Sequence, residues 1–343
     1  MSRSYGAVPA VAAPTAVVAE TRGKRSYAPL LALVLALAVL AIFPVFGGKF
    51  YIQLVTKIML MALFAMSLDL QVGYTGLISL GHAAFFGLAG YVLALLSPQS
   101  DAASLWTTLP LALLACAAFA LITGLLVLRT NGIYFIMVTL AFAQMLFFVF
   151  HDTALGGGSD GVYIYFKPAV KLGAITLLDL ENFKVLYWVV LGLMAIVYLV
   201  LRRILASNFG RALVGIKNNE NRMRALGFPT FRYKLASYVL SGSLAGLAGY
   251  FAALQFGFVN PEILSWRVSG DVLLMVILGG MGTLHGAVIG AFVFDLLQEV
   301  LSNQGIFGPS AKHWQLVMGI FVILVALYLP RGLAGLFARR EES

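Results

Sequence analysis

Long runs of apolar residues recur along most of this chain, and they limit what it can fold into. A helix that crosses the hydrocarbon layer of a membrane needs about 20 mostly apolar residues. Only 11% of the 343 residues are charged and 61% are hydrophobic, so no stretch is polar enough to form a separate soluble domain. The sequence predicts an all-α polytopic membrane protein with about ten transmembrane helices, near residues 28–46, 50–71, 76–96, 107–128, 132–151, 184–201, 235–258, 269–282, 284–304 and 313–329.

The run at 269–282 leaves two interpretations open, because it is short and ends in Gly-Gly-Met-Gly. It can cross the membrane, or it can enter and leave on the same side. A chain with one crossing fewer would place the basic residues after 330 on the opposite side from the other basic segments. The charge distribution therefore favours ten crossings.

Basic residues are concentrated in three segments, 1–27, 202–234 and 330–343, whereas 97–106 and 152–183 are acidic or mixed. In a membrane protein, segments rich in Lys and Arg stay on the cytoplasmic side. The net charge of +9 therefore reports topology, and we expect no binding to nucleic acid. The prediction is a multi-pass protein of the bacterial inner membrane with both termini in the cytoplasm.

The same pattern divides the chain. Residues 1–27, rich in Ala, Val, Pro and Ser, are predicted to form a disordered cytoplasmic tail. A permease domain follows at 28–330, with a cytoplasmic segment at 203–232 and an outer loop at 152–183, and a second cytoplasmic tail occupies 331–343.

One polar stretch, NNENRMRALGFP, interrupts the apolar chain and predicts a short helix. Asn218 or Asn219 can cap its start, because an Asn side chain accepts hydrogen bonds from the free amides of the first turn. Met223 and Leu226 lie on one side, and Gly227 lies where a left-handed residue ends a helix. Two turns, about 10 Å long, are too short to be stable alone, so this helix needs a partner.

Ionisable residues inside the predicted spans are candidates for a translocation pathway or gate, because charge is costly in the membrane. His82, Asp295 and Glu299 are in this class, either lining a water-filled path or paired inside the bundle. Lys57 and Asp69 lie nearer the ends of their span, where a side chain can reach the interface. In the outer loop, Asp160 follows a run of glycines and is a further gate candidate.

Small residues at four-residue spacing mark helix faces that can approach closely. They pack helices within the chain, or they contact a second subunit or the pore. The residues concerned are Gly242, Gly246, Gly282, Gly286 and Gly290.

Motifs of enzymes are missing from the sequence. It has no phosphate-binding loop of the form G-x-x-x-x-G-K-[ST] and no H-E-x-x-H pair. We therefore expect no catalytic, cofactor-binding or metal-binding residues, and any energy from ATP must come through another polypeptide.

Four stretches resemble the LivM/LivH-type inner-membrane permeases of branched-chain amino acid ABC importers. The resemblance covers roughly 50–330, and the length and long outer loop are more like LivM. The stretches are GYTGLISLGHAAFFGLAGYVLALL (73–96), LGGGSDGV (155–162), SNFGRALVGIKNNENRMRALGFPTFRYKLASYVLSGSLAGLAGY (207–250) and SGDVLLMVILGGMGTLHGAVIGA (269–291).

The resemblance implies the ABC importer permease fold and four partners: a homologous LivH-like permease, two cytoplasmic ATPase subunits that bind the ATP, and a periplasmic substrate-binding protein. It implies transport of branched-chain or related small amino acids, although relatives also carry urea, amides or small carboxylates. A different class, a secondary transporter driven by an ion gradient, would use broken helices near Gly282 and the buried Asp295.

The resemblance also assigns 207–228 as the cytoplasmic coupling segment, whose short helix would seat in a cleft of an ATPase subunit. Its apolar residues would enter the cleft and its charged residues would meet polar groups at the rim. The residues assigned to coupling are Glu220, Arg222, Met223, Arg224, Leu226 and Gly227.

Overall fold

The computed structural model describes residues 38–335 except 99, 169, 173–174 and 330. The tail predicted at 1–27, and the tail predicted at 331–343 beyond residue 335, lie outside the described residues. The chain separates into two units between Ile42 and Phe43, and the helical bundle belongs to the second.

Helices account for most of the described chain, and each long one coincides with an apolar run of the sequence. The first, α1, is described over residues 38–46. The others are α2 (Lys49–Asp69), α3 (His82–Leu96), α4 (Leu105–Val127), α5 (Ile133–Asp152), α6 (Phe183–Ala206), α7 (Asn208–Asn218), α8 (Glu220–Ala225), α9 (Thr230–Phe256), α10 (Trp266–Gly279), α11 (Leu284–Ser302), α12 (Gln304–Phe307) and α13 (Trp314–Tyr328).

Seven helical segments of the described chain are long and apolar enough to cross a membrane. They confirm a helical polytopic membrane protein. The count of ten crossings stays a prediction, because the span at 28–46 begins outside the described residues. In the spans at 76–96 and 269–282 the helices α3 and α10 have only 15 and 14 residues.

A break between α2 and α3 shortens the third predicted span. Helix α2 continues into a π-helical segment, Leu70–Thr75, that stops at Gly76 with φ of +77°. A left-handed residue of this kind is available to glycine at little cost. The next five residues are not helical, so α3 begins at His82. The predicted span at 76–96 therefore begins with non-helical backbone.

Helices α2 and α9 form the centre of the bundle. In their most apolar windows 67% and 61% of residues are buried, against 22% in α5 and in the segment that contains α13. Helix α9 packs on α3, α4 and α2, and α2 also packs on α6 and α11. The outer helices keep large apolar side chains exposed, such as Met145 and Leu324, as expected of surfaces that face lipid.

The glycines of α9 let it approach α3 and α4. A Cβ added at Gly242 would lie 3.1 Å from the Cβ of Ala120, and one at Gly246 would lie 2.5 Å from the sulfur of Cys116. A larger side chain at either position would push the helices apart. Gly242 and Gly246 therefore act in packing within the chain, which was one of the two interpretations of their spacing.

Helices α10 and α11 make a still closer contact. A Cβ at Gly290 would collide with the carbonyl oxygen of Met275, and one at Gly286 would lie 2.7 Å from the carbonyl oxygen of Gly279. Backbone cannot move aside as a flexible side chain can. Gly286 and Gly290 thus also pack within the chain.

The loop predicted on the outer side, 152–183, is ordered by contacts with the connection between α9 and α10. Its strand β1 (Val162–Tyr163) pairs antiparallel with β4 (Phe258–Val259), and β2 (Val170–Leu172) pairs with β3 (Ile175–Leu178). Gly161, with φ of +75°, packs its backbone against this connection. The glycine-rich segment is therefore held in place by a second part of the chain.

Replacing Gly290 by leucine is expected to destabilise the bundle, because the new side chain meets backbone of α10. Overpacking of this kind costs about 1–3 kcal/mol. The matched control is Gly319→Leu in α13, where an added Cβ meets nothing within 4 Å. Thermal unfolding of the purified protein in detergent should show a lower midpoint for Gly290→Leu alone. Equal shifts in the two variants would contradict the packing described.

Candidate functional site

The short helix α8 is closed at both ends by the residues that the sequence indicated. Asn219 is the N-cap, and its side-chain oxygen accepts a hydrogen bond from the amide of Arg222 at 2.9 Å. Gly227 has φ of +85°, and the amides of Gly227 and Phe228 donate to the carbonyls of Arg224 and Met223 at 2.9 and 3.1 Å. This pair of hydrogen bonds is the Schellman motif. A helix of only six residues is thereby made a defined element.

Glu220 fixes α8 to the start of α9. Its Oε1 accepts from Arg224 Nη2 at 2.7 Å and from the hydroxyl of Thr230 at 3.0 Å. Its Oε2 accepts from Lys234 Nζ at 3.0 Å. The Lys234 side chain is only 5% exposed, so this is a largely buried charge with one close partner. We call Glu220, Arg224, Thr230 and Lys234 the Glu220 clamp.

The pKa of Glu220 reflects these contacts. Burial alone would raise the pKa of the carboxyl group, but the hydrogen bond and the charge of Lys234, together with the bonds from Arg224 and Thr230, lower it below its usual range. Glu220 is therefore ionised at neutral pH, and its contribution to stability is present there. That contribution is lost only as the pH falls through the lowered pKa.

The apolar surface of α8 differs from the one predicted. Met223 turns inward and is half-buried, with its sulfur beside Gly215 of α7. Leu226 is 64% exposed, and Phe228, just beyond the helix, is 38% exposed. The prediction that Met223 and Leu226 share an outward stripe was wrong for Met223. Phe228 was missed, since it lies after the glycine that ends the helix.

The exposed part of α8 therefore joins charge and apolar surface. Arg222 is exposed, and the side chain of Arg224 is 60% exposed although it also binds Glu220. Together with Leu226 and Phe228 they form what we call the α8 surface. Each of these side chains can contact a partner without breaking the fold.

His82 is a core residue in this structure. It is fully buried, and its Nε2 lies 3.0 Å from the hydroxyl of Ser67 and 3.3 Å from that of Ser241. Its ring is stacked on Phe64, with ring centres 5.5 Å apart. His82 thus joins α2, α3 and α9, and its role as a gate stays a prediction.

Asp295 and Glu299 belong to a charged cluster that sequence spacing did not reveal. Asp295 of α11 is 4% exposed, and its Oδ1 lies 4.0 Å from Nζ of Lys57 in α2. Asp271 of α10 and Glu299 lie within electrostatic range of Asp295, and Lys57 lies within range of Asp271. We call these four residues the charged cluster. Lys57 and Asp271 were missed as site residues, although charge inside an apolar run marks both.

The charged cluster is not sealed inside the chain. The Lys57 side chain is 36% exposed, Asp271 is exposed and Glu299 is half-buried. Charge that faces lipid is costly, so this face of α2, α10 and α11 needs another protein surface or water against it. Asp295 thus lies beside Lys57 within the bundle and next to an uncovered face, and its role in a pathway stays a prediction.

Asp160 lies in a single turn of 3-10 helix, Gly158–Asp160, and is exposed. Its Oδ1 accepts from the hydroxyl of Ser159 at 3.3 Å. Among the described residues, the loop is held by the close backbone contact of Gly161 with Val259 and Asn260. The carboxylate is therefore available to a partner.

Within the described residues, no three His, Cys, Asp or Glu side chains are grouped so that they could hold a metal ion. What the geometry provides is a clamped protruding helix at one place and a charged, uncovered helix face at another.

Comparison with known proteins decides the family. Residues 50–327 match the model for the branched-chain amino acid transport system permease component. The chain belongs to this family. The match begins at α2 and reaches nearly to the end of α13, and it includes α8 and the charged cluster. This confirms the resemblance found in the sequence and makes the protein an integral membrane permease.

Individual members of the family are similar over different lengths. The high-affinity branched-chain amino acid transport permease LivM of Salmonella typhimurium is 29% identical over 319 residues, which cover 87% of this chain and 73% of LivM. LivH of Escherichia coli is 28% identical over 129 residues, or 38% of this chain and 40% of LivH. The autoinducer 2 import permease LsrC of Klebsiella pneumoniae is 30% identical over 161 residues, or 46% of this chain and 45% of LsrC. No solved structure matches the chain.

Replacing Glu220 by glutamine should loosen α8 on the permease. The change removes the charge that Lys234 faces, and hydrogen bonds to charged groups contribute about 1.5–3 kcal/mol. Amide hydrogen exchange in α8 should then be about tenfold faster or more, since 1.4 kcal/mol is a factor of ten. Arg222→Gln, on the exposed side of the same helix, is the matched control and should leave exchange unchanged. Unaltered exchange in Glu220→Gln would exclude the clamp.

Proposed function

We propose that this chain is the membrane-spanning subunit of an ATP-driven ABC importer for branched-chain or related small amino acids. It would form the translocation path with a homologous, LivH-like permease. Two cytoplasmic ATPase subunits would bind and hydrolyse ATP, and this chain itself would bind no cofactor. The proposed setting is the bacterial inner membrane, with both termini in the cytoplasm.

The α8 surface is the observation that carries this proposal. A short helix with two exposed apolar side chains, Leu226 and Phe228, beside two exposed arginines is suited to a cleft that is apolar inside and polar at the rim. The Glu220 clamp joins the helix to α9, a central helix of the bundle. Movement of a bound ATPase would therefore reach the membrane domain through one rigid connection.

The charged cluster supports a path beside α2, α10 and α11. A second permease placed against this face would remove the charges from lipid and leave polar groups between the two subunits. An amino acid carries both an ammonium and a carboxylate group, and the cluster presents both signs of charge. Alternating access would then expose this region to one side of the membrane at a time.

The predicted outer loop is the part suited to a substrate-binding protein. It is held by β1 and β4 and leaves the Asp160 carboxylate exposed. We propose that the periplasmic binding protein docks here and that substrate choice rests largely with it. Branched-chain amino acids follow from the names of LivM and LivH; urea, amides or small carboxylates are the alternatives for the same machinery.

Reconstitution distinguishes an ATP-driven importer from a secondary transporter driven by an ion gradient. The Lys57–Asp295 pair within the membrane is the observation that would support a secondary transporter. The permease, its LivH-like partner, the ATPases and the binding protein are placed together in proteoliposomes. We expect leucine uptake only when ATP and the binding protein are both supplied. Uptake by this chain alone, driven by a proton or sodium gradient, would overturn the proposal. Uptake of another solute class only would overturn the substrate assignment.

Breaking α8 should separate ATP hydrolysis from transport. Proline at Met223 removes a backbone donor and clashes with the preceding turn, which costs about 3 kcal/mol and is enough to abolish a two-turn helix. Met223→Pro should insert normally but lose its ATPases or lose uptake; Gly227→Val should be milder. Asn221→Ala, at an exposed position of the same helix, keeps the helix and is the matched control. Pull-down of the ATPases and uptake in vesicles measure both effects, and normal uptake by Met223→Pro would refute the coupling assignment.

A further inference from the structure

Lys217, at the end of α7, contacts a part of the bundle far from it in sequence. Its Nζ donates to the carbonyl oxygen of Gly73 at 2.6 Å. Gly73 lies in the π-helical segment that ends α2. Carbonyls at the end of a helix lack partners and carry partial negative charge, so an ammonium group is well placed there. Lys217 therefore caps the broken end of α2.

Asp69, one turn before Gly73, has a second, electrostatic interaction with Lys217. It is fully buried, and its Oδ1 accepts from the amide of Gly282 at 2.7 Å. Its Oδ2 has no hydrogen-bond partner within the described residues, and Lys217 attracts it electrostatically. A buried carboxylate needs such a counter-charge. The position of Asp69 near the end of its predicted span indicated that its side chain could reach the membrane interface. In the structure the side chain is buried instead.

The third contact joins two stretches of backbone. A Cβ at Gly73 would collide with the carboxylate of Asp69 and with the backbone of Gly282. Gly282 has φ of +82° and forms the turn between α10 and α11. Because the two backbones are in such close contact, one cannot slide along the other unless they first move apart. We call Asp69, Gly73, Lys217 and Gly282 the glycine junction.

The glycine junction connects the two functional regions of the permease. On one side, Met223 of α8 packs on Gly215, two residues before Lys217 in α7. On the other side, α2, α10 and α11 all meet at the junction and all carry residues of the charged cluster. The junction therefore joins α8, through α7, to the helices that carry the charged cluster, and packed rigid helices of this kind can carry coupling between distant sites.

We propose that Lys217 is a positioning residue for transport, holding the end of α2 and the turn between α10 and α11 to the coupling segment so that they move with it. This rests on the proposed function. Lys217 touches neither ATP nor the transported solute; it acts through Gly73 and Asp69. Without it, the ATPase would still bind α8 and hydrolyse ATP, but its movement would reach the charged cluster less effectively.

The test is the amount of solute taken up per ATP hydrolysed, in proteoliposomes that contain the complete importer. Lys217→Met keeps the aliphatic chain and removes the donor, and we expect a loss of about fivefold or more in this ratio. Lys217→Arg keeps a cationic donor and should restore much of it. Arg211→Met, on the exposed side of the same helix, is the matched control and should behave as the unmodified importer. The yield of assembled complex is measured for every variant.

Asp69→Asn provides a second, independent variant. Its amide oxygen can still accept from Gly282, but the attraction to Lys217 is lost, so uptake per ATP should again fall while assembly persists. An unchanged ratio in Lys217→Met, or an equal fall in Arg211→Met, would overturn the inference. If the unmodified complex shows no ATP-driven uptake, the proposed function itself fails; if it transports and Lys217→Met transports equally well, only the role of Lys217 fails.

Discussion

Backbone that leaves a helix inside a membrane protein must still satisfy its polar groups, and this structure depends on how that is done. Unpaired amides and carbonyls are not tolerated against lipid. Two helical runs are broken here, after Thr75 and after Gly279, and Gly73, just before the first break, packs against Gly282 in the second. The Asp69 carboxylate accepts the Gly282 amide, and the Gly73 carbonyl receives Lys217. The chain after α13 covers the same turn, because the amide of Leu333 donates to Leu278. Small residues at these points are needed for the backbones to meet.

This arrangement joins a short coupling element to the helices that carry the charged cluster. Helix α8 is too short to be stable alone, yet two caps and the Glu220 clamp hold it to α9. Helix α7 lies between α8 and the glycine junction. The packed parts of the bundle, α9 with α3 and α4, depend on glycines that leave little freedom. The charged cluster lies on α2, α10 and α11, the helices that meet at the glycine junction.

Some of this could be predicted from the sequence and some could not. Apolar runs gave most helices, and the caps of α8 followed from local chemistry at Asn219 and Gly227. The glycine spacing indicated close packing, with the partner helices left open. Lys217 and Gly73 are 144 residues apart, and no periodicity relates such positions. Met223 was misassigned because its inward direction depends on Gly215 of α7. The start of α3 was misplaced because the π-helical segment and Gly76 interrupt an unbroken apolar run.

The central claim is that α8 and the turn between α10 and α11 move together. Spin labels at exposed Asn221 of α8 and exposed Met281, with buried Cys116 replaced by alanine, report the distance between the two elements in the assembled importer. A second pair, at Asn221 and exposed Trp188 of α6, reports movement relative to the rest of the bundle. On binding a non-hydrolysable ATP analogue, the first distance should stay constant while the second changes. A change in the first distance as large as that in the second would contradict the account.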